Sequence, residues 1–118
     1  RMALLLAVLE KRAGLAFGDQ DVFLNAVGGV RLSEPAADAG VAAALASGLL
    51  DRSIPSDALF VGEVGLGGEL RAVSQMERRL AEAERLGFRT AYVPRRTRVV
   101  TALDVVPVET VRELLDAL

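Results

Sequence analysis

The sequence predicts a single α/β domain built around a mixed sheet. Short apolar segments that suit strands alternate along the chain with segments that have helical spacing, and this alternation is typical of the α/β class. The chain has 118 residues, of which 52% are apolar, so it can bury a core of its own. No apolar run reaches the roughly 18 residues of a membrane span, so no membrane partner is expected. No internal repeat or linker divides the sequence, and we expect one domain over residues 1–118.

The first half of the chain is predicted to contain two helices with strand-forming sequence between them. Helical spacing of Leu5, Val8 and Leu9 indicates the first helix, and Gly14 is a natural stop for it. The second helix consists almost entirely of small apolar residues, which favours burial on most sides, and Ser33 is its candidate N-cap. The predicted elements are helix 2–13, strand 21–27, a glycine turn at 28–29, strand 30–32 and helix 35–50.

Glycines mark the turns of the second half. Gly65, Gly67 and Gly68 predict a hairpin turn between two short strands. Ser74 is a candidate cap for the next helix, and Gly87 predicts its end. The predicted elements are strand 58–64, returning strand 69–73, helix 74–86, strand 90–93, loop 95–98, strand 104–106 and helix 108–118.

The residue types that are missing exclude several kinds of site. The chain contains no histidine, which rules out histidine triads, histidine metal ligands and imidazole acid–base catalysis. It also contains no cysteine, and therefore no disulfide or thiolate metal site, which suits a cytoplasmic protein. Lys11 is the one lysine among 14 basic residues. A serine–lysine dyad would have to bring Lys11 to Ser33 or Ser74, and nothing in the sequence places them together.

Three further features are better explained as structure than as functional sites. The glycine-rich segment 62–68 lacks the Gly-Lys-Ser/Thr sequence of a phosphate loop and leads into a returning strand, which indicates a hairpin. Glu63 and Glu69 lie on opposite arms of that turn without a supporting motif, so structural roles are favoured over a paired-carboxylate site. Asp38 is expected in the first turn of a helix, where the helix dipole favours a carboxylate.

Charge is unevenly distributed along the chain. The net charge is −2, yet residues 78–98 contain seven arginines against Glu82 and Glu84, which gives this basic segment a charge of +5. Two interpretations remain open on charge alone: a solvated helix face and loop, or a surface for a partner that carries phosphates. Positions 78, 82, 85 and 89 are expected to share roughly one helical face. Phe88 and Tyr92, the only aromatic residues of the segment, are expected to pack inward, so stacking on bases is not supported.

Two segments resemble the proteolytic domain of Lon proteases. They are residues 32–45 (LSEPAADAGVAAAL) and residues 60–80 (FVGEVGLGGELRAVSQMERRL). In that family the residue after the proline is a nucleophilic serine, and a lysine near the start of the second helix is its base. The resemblance assigns these positions to Ala36, which has no nucleophile, and Glu77, whose carboxylate cannot replace an amine. It therefore implies a Lon proteolytic-domain-like fold with a degenerate dyad.

Nearly the whole chain is also similar to the C-terminal domain of the RadA (Sms) family of bacterial DNA repair proteins. The likeness is carried by residues 6–14 (LAVLEKRAG), 19–38 (DQDVFLNAVGGVRLSEPAAD) and 60–80. It implies a proteolytically inactive module of a longer chain, which aids DNA binding and ring assembly in a hexameric protein of recombination and branch migration. Zinc, magnesium and ATP would bind to an N-terminal zinc motif and a RecA-like ATPase outside this sequence. No cofactor or metal is therefore expected in these residues.

Within that resemblance, the basic segment becomes the candidate surface for DNA. Contact would be mainly to backbone phosphates, with little preference for sequence. The candidate residues are Arg78, Arg79, Arg85, Arg89, Arg95, Arg96 and Arg98, with Lys11 and Arg12 as secondary candidates. The competing interpretation is a pure oligomerisation module without DNA contact, in which the arginines pair with acidic residues of a neighbouring subunit: Glu10, Asp19, Asp21 or Asp51. An active serine–lysine peptidase is a more remote alternative.

Overall fold

The computed structural model describes residues 2–17 and 34–118. The elements in these ranges are α1 (Met2–Arg12), a 3₁₀ turn (Pro35–Ala37), α2 (Asp38–Leu50), β1 (Ala58–Phe60), β2 (Glu63–Val64), β3 (Leu70–Arg71), α3 (Met76–Arg85), β4 (Thr90–Pro94), β5 (Asp104–Val108) and α4 (Val111–Asp116). The predicted strands 21–27 and 30–32, the turn at 28–29 and the cap Ser33 lie outside the described residues.

The described strands form a three-stranded parallel sheet and a separate hairpin. β4 lies at the centre of the sheet, with β1 and β5 parallel to it on either side. β2 and β3 pair in antiparallel register, so that Glu63 lies opposite Arg71. Parallel strands need crossover connections, which are usually helices. Here α3 lies in the connection from β1 to β4, whereas residues 95–103 join β4 to β5 without a helix. The parallel strands together with the helices confirm the predicted α/β class.

Helices cover both faces of the parallel sheet. Because successive residues of a strand point to opposite faces, Ala91 and Val93 of β4 join a cluster with Leu80 of α3. Tyr92 packs instead against the cluster formed by α1, α2 and α4. It also stacks on Phe60 of β1, with the ring centroids 4.7 Å apart and 10° between the planes. Two hydrophobic clusters thus lie on opposite sides of one sheet.

The two helices predicted in the first half are confirmed. α1 buries Leu5, Val8 and Leu9, the residues whose spacing predicted it. α2 buries seven of its 13 residues, as expected for a helix of small side chains that is enclosed on most sides. Asp51 follows it with φ +52, a left-handed conformation that ends the helix.

The predicted strand 58–64 is divided at Gly62, and its two parts join different sheets. The N–H of Val61 donates to Tyr92 O at 3.0 Å, which completes the pairing of β1 with β4. The next residue bonds elsewhere: Gly62 N donates to Ala36 O, and Gly62 O accepts from Ala39 N, both at 3.1 Å. The prediction of one continuous strand is wrong because these long-range bonds outweigh the local apolar pattern.

The predicted glycine hairpin is confirmed, and Gly68 is tightly enclosed at its base. Gly65 N donates to Glu69 O, and Gly68 N donates to Gly65 O, both at 2.9 Å. Gly68 has φ +83, and a Cβ added there would lie 2.8 Å from the Cβ of Arg12. Its carbonyl accepts from Val111 N at 2.8 Å. α1, the hairpin and α4 therefore meet at a residue that has no side chain.

α3 begins later than predicted. Its first residue is Met76, and the residue before it is Gln75, which has φ +57 and makes no side-chain cap. Ser74 is therefore not the N-cap, because the left-handed Gln75 separates it from the first turn. The predicted end is confirmed, since Gly87 follows α3 with φ +95.

α4 also begins later than predicted, because its cap lies at Thr110. The Thr110 hydroxyl accepts from Glu113 N at 3.1 Å, which satisfies one of the unpaired amides of the first turn. The helix therefore starts at Val111. Val108, predicted to be helical, completes β5 and lies opposite Pro94 of β4.

Replacing Gly68 with alanine is expected to lower the free energy of unfolding by about 2 kcal/mol or more, since the change combines a strained φ with an overlap at Arg12. Gly48→Ala is the matched control. Gly48 lies within α2 with nothing within 4 Å of an added Cβ, so this change should stabilise by about 0.5–1 kcal/mol. Urea unfolding followed by circular dichroism measures both, and equal stabilities of the two variants would refute the role of Gly68.

Candidate functional site

The first candidate position, Ala36, lies in the 3₁₀ turn that leads into α2. It is 5% exposed and belongs to the hydrophobic cluster that contains Met76 and Leu80 of α3. Its side chain is a methyl group and offers neither a nucleophile nor a hydrogen-bond donor. A hydroxyl here would enter an apolar environment, where an unpaired polar group costs about 1–3 kcal/mol. This position therefore supplies packing and not chemistry.

The second candidate position, Glu77, is exposed in the first turn of α3. It faces an open groove of about 530 Å³, which we call the α3 groove. The residues that line the α3 groove are Glu77, Thr97, Arg98, Val99 and Val100. The preceding residue, Met76, is buried in the cluster of Ala36. The two dyad positions therefore lie on neighbouring elements in different surroundings, one in the packed core and the other on the surface.

Arg79 connects α3 to the segment that precedes Ala36. Its Nη2 forms an ion pair with Glu34 Oε1 at 3.2 Å, and its Nε donates to Ser74 O at 2.9 Å. The ion pair joins residues 45 positions apart in the sequence. This arginine, one of the predicted DNA contacts, is therefore engaged within the fold.

Two further arginines of the basic segment also bond to carboxylates. Arg85 pairs with Glu82 on α3 at 2.5 Å, and Arg95 pairs with Glu113 of α4 at 2.7 Å. The hydrogen bond from Arg85 lowers the pKa of Glu82. Both pairs are exposed, and exposed pairs contribute little to stability. A phosphate can therefore compete for these guanidinium groups.

The arginines of the basic segment do not form one continuous stripe. α3 ends at Arg85, so Arg89 does not share its face as predicted but lies beyond the turn at Gly87, at the start of β4. Arg95 and Arg96 follow the other end of β4, and the five residues of this strand separate its ends by about 17 Å. Arg89 and the loop 95–98 thus lie at opposite ends of β4, while Arg78, Arg79 and Arg85 lie on α3.

A second groove, of about 400 Å³, lies where the hairpin meets the carboxyl ends of β4 and β5. We call it the hairpin groove, and the residues that line it are Glu69, Leu70, Arg71, Ala72, Pro94, Arg95, Arg96 and Glu109. Two backbone hydrogen bonds fix its walls, from Leu70 N to Glu109 O and from Arg95 N to Val108 O, each at 2.9 Å. The hairpin is therefore held against the end of the parallel sheet.

Arg71 is the residue of this groove that the sequence analysis missed. It precedes the basic segment, and only the returning strand of the predicted hairpin could have indicated that it lies beside the end of β4. Its Nε and Nη2 donate to Glu69 Oε2 at 3.0 and 2.8 Å. The hydrogen bond from the backbone amide of Glu69 itself is the largest cause that lowers the pKa of the Glu69 carboxyl group, and the hydrogen bond from Arg71 is the second. The ionised carboxylate therefore orients the guanidinium group of Arg71.

The secondary candidates Lys11 and Arg12 lie exposed in the last turn of α1. The Cβ of Arg12 lies beside Gly68, at the base of the hairpin turn. The described contacts therefore connect Arg12 to the hairpin turn and not to the loop 95–98.

Several carboxylates in the described part of the chain bond to amides or arginines. In residues 2–17 and 34–118, no group of three or more Asp, Glu, His or Cys side chains is placed to hold a metal ion. Asp38 accepts instead from Val64 N at 3.0 Å, and Glu113 from Arg95. A search of the same residues finds no helix with the length and apolar character to cross a membrane.

The family model of the Lon protease (S16) C-terminal proteolytic domain matches residues 12–118. The chain belongs to this family. The resemblance predicted from segments 32–45 and 60–80 is thereby confirmed, together with the α/β fold that it implied. Ala36 and Glu77 stand at the positions that this resemblance assigns to the serine and the lysine, so this Lon-type domain has neither side chain there.

RadA proteins are similar to most or all of this Lon-type domain. The DNA repair protein RadA of Brucella abortus is 54% identical over 94 residues, which are 80% of this chain and 20% of that protein. RadA of Haemophilus influenzae is 47% identical and RadA of Escherichia coli 45% identical, each over 118 residues that are 100% of this chain and 26% of the relative. The predicted resemblance to the Lon-like domain of RadA is confirmed. The chain spans between a fifth and about a quarter of the length of these relatives.

Glu113 connects the loop after β4 to α4 of the Lon-type domain. Its Oε1 accepts from Arg95 Nη2 at 2.7 Å, and its Oε2 accepts from the backbone N–H of Glu109. The bond from the Glu109 amide is the largest influence on the pKa of Glu113, which it lowers, and the charge of Arg95 acts in the same direction. Ionised Glu113 therefore stabilises the folded state.

Glu113→Gln is expected to lower stability at pH 7. Because the folded state lowers the pKa of Glu113 below its ordinary value of 4.5, the stabilisation is present above about pH 4.5 and is lost as the pH falls through the lowered value. The urea midpoints of variant and wild type should therefore converge between pH 7 and pH 3. Glu84→Gln is the control, since Glu84 forms no ion pair with the described residues. A difference in urea midpoint between Glu113→Gln and the wild type that stays constant with pH would rule out this explanation.

Proposed function

We propose that this Lon-type domain is proteolytically inactive and supplies DNA contact and ring assembly to a RadA-type repair protein. The observation that carries the proposal is the buried methyl group of Ala36 at the nucleophile position. Exposed arginines on the same domain have the chemistry that binds phosphate. The similar proteins are named DNA repair proteins. In a longer cytoplasmic, hexameric protein, an ATPase and a zinc motif outside this sequence would bind ATP, magnesium and zinc and drive branch migration in recombination.

Loss of proteolysis is supported by the positions of the remaining candidate groups. Peptide hydrolysis of this type needs a nucleophile beside a base. Lys11, the one lysine, lies on α1, whose buried residues belong to the cluster on the other side of the sheet from Ala36. Ser74 is exposed, and its carbonyl accepts from Arg79. Loss of one key member of a catalytic set lowers turnover by a factor on the order of 10⁶. A domain that lacks both the serine and the lysine of the dyad is therefore not expected to cleave protein.

DNA contact is supported by the exposure of Arg96 and Arg98. Both lie in the loop after β4, and neither forms an ion pair with the described residues. A guanidinium group keeps its charge and matches a phosphate with two parallel hydrogen bonds. The aromatic rings of the basic segment are half-buried, and Tyr92 is stacked on Phe60. We therefore infer contact to the DNA backbone, with little preference for base sequence.

Ring assembly is supported by the uneven distribution of charge. The basic segment carries +5 in a chain whose net charge is −2, so the other residues sum to −7. Head-to-tail contacts between copies would bring these opposite charges together. Glu10 and Asp51 are exposed, whereas Asp19 and Asp21 lie outside the described residues. A module that assembles without touching DNA is the second candidate, and it would use the same arginines.

Changing Arg96 and Arg98 together to glutamine separates the two candidates. If both contact phosphates, affinity for a short duplex falls, and the slope of log affinity against log salt becomes shallower by about 1.8, because each lost contact removes about 0.9. The double variant Arg52→Gln with Arg112→Gln is the matched control, since it removes two exposed charges outside the basic segment. An unchanged slope with lost assembly favours the assembly module. An unchanged slope with intact assembly defeats both roles for this loop.

Incubation with an unfolded polypeptide tests the proposed loss of proteolysis. We expect no cleavage by the wild-type chain, because Ala36 supplies no nucleophile and Glu77 no amine. Ser33→Ala, Ser74→Ala and Lys11→Gln should give the same result, as followed by gel electrophoresis. Cleavage by the wild type that disappears in one of these variants would overturn this part of the proposal, since it would identify a working nucleophile or base.

A further inference from the structure

Three arginines from two parts of the fold converge on the hairpin groove. Arg71 comes from β3, Arg95 and Arg96 follow β4, and all three line the same cavity of about 400 Å³. Ligand pockets in proteins span roughly 300–1,000 Å³, so this groove has room for a phosphate group with its sugar. Buried Leu70 and Pro94 provide an apolar lining, and charges interact more strongly near such a surface than in bulk water.

Two of these arginines are already oriented before any ligand binds. Glu69 accepts from Nε and Nη2 of Arg71 at 3.0 and 2.8 Å, and Glu113 accepts from Nη2 of Arg95 at 2.7 Å. The other N–H groups of both guanidinium groups form no hydrogen bond with the described residues. Because a side chain that is held in place loses less freedom on binding, this arrangement lowers the entropic cost of capturing an anion.

The loop that carries these arginines continues from one groove to the next. Arg96 lines the hairpin groove, and Arg98, two residues further along, lines the α3 groove. A ligand with several linked phosphates would reach both arginines, whereas a free phosphate would occupy one groove only. Glu109 also lines the hairpin groove, and its carboxylate forms no ion pair with the described residues. Its negative charge opposes a bound phosphate.

We propose that the hairpin groove binds one phosphate of a nucleic-acid backbone through Arg71, Arg95 and Arg96. This inference rests on the proposed DNA contact. It extends that contact to an arginine outside the basic segment and to a defined position at the end of the sheet. Glu109 limits the affinity of this site, so the groove holds the backbone weakly. A phosphate in the groove places the backbone where Arg98 can contact a neighbouring phosphate.

Single substitutions with opposite expected effects test the site. Arg71→Gln should lower the affinity for a fluorescent short duplex by about tenfold at low salt and make the salt slope shallower by about 0.9. Glu109→Gln should raise the affinity by about two- to threefold, because it removes a like charge. Arg52→Gln, which removes an exposed charge elsewhere, should change neither quantity. A gain of affinity cannot result from misfolding, and circular dichroism verifies the fold of all three.

Inorganic phosphate, added at constant ionic strength, distinguishes whether the groove holds a phosphate of the nucleic-acid backbone or a free phosphate ion. A backbone site predicts that inorganic phosphate competes with DNA for the groove of the wild type, and that it competes less well with DNA bound to Arg71→Gln. Phosphate that binds to the wild type but not to Arg71→Gln, while the affinity of the wild type for DNA stays the same, would assign the groove to a free anion and overturn the inference. If Arg96→Gln with Arg98→Gln weakens binding but Arg71→Gln does not, only this inference fails. If the wild-type chain binds no DNA, the proposed function fails with it.

Discussion

The backbone junction between the 3₁₀ turn and Gly62 sets the relative positions of the parallel sheet, α2 and the hairpin. Two hydrogen bonds of 3.1 Å close it, from Gly62 N to Ala36 O and from Ala39 N to Gly62 O. Beside them, Asp38 accepts from Val64 N at 3.0 Å while only 1% exposed. A buried carboxylate requires such donors, and the first turn of α2 adds a favourable helix dipole. The junction therefore determines where the chain leaves the sheet, where α2 begins and where the hairpin projects.

This junction explains how the scaffold of a hydrolase family can persist when the side chains at the two dyad positions differ. The carbonyl of Ala36 serves the fold, and its side chain has only to fit the cluster around Leu80, which a methyl group does. Glu77 points to solvent and takes no part in that cluster. The dyad positions can therefore change without loss of a backbone bond that holds the domain together. The hairpin begins at the same junction and carries Arg71 to the end of the parallel sheet, where the hairpin groove lies.

Local sequence patterns predict the parts of the fold that local physics determines. The glycine-rich turn and the stop after α3 are where the glycines indicate them, because Gly68 and Gly87 adopt positive φ. The break at Gly62 follows from bonds to residues more than 20 positions away, which no local pattern contains. The same distinction between local and long-range determinants applies to the candidate site. The sequence shows how many arginines there are, but the pairing of Arg79 with Glu34 and the placement of Arg71 arise only when distant segments meet.

We propose that a Lon-type scaffold without the serine and lysine of its dyad serves as a surface for the DNA backbone. The salt dependence of DNA binding by the wild-type chain tests this claim most directly. Engagement of about five phosphates predicts a slope of about −4.5 for log affinity against log salt, with little difference between base sequences. Affinity that stays constant as salt increases, or the absence of binding at low salt, would contradict the claim.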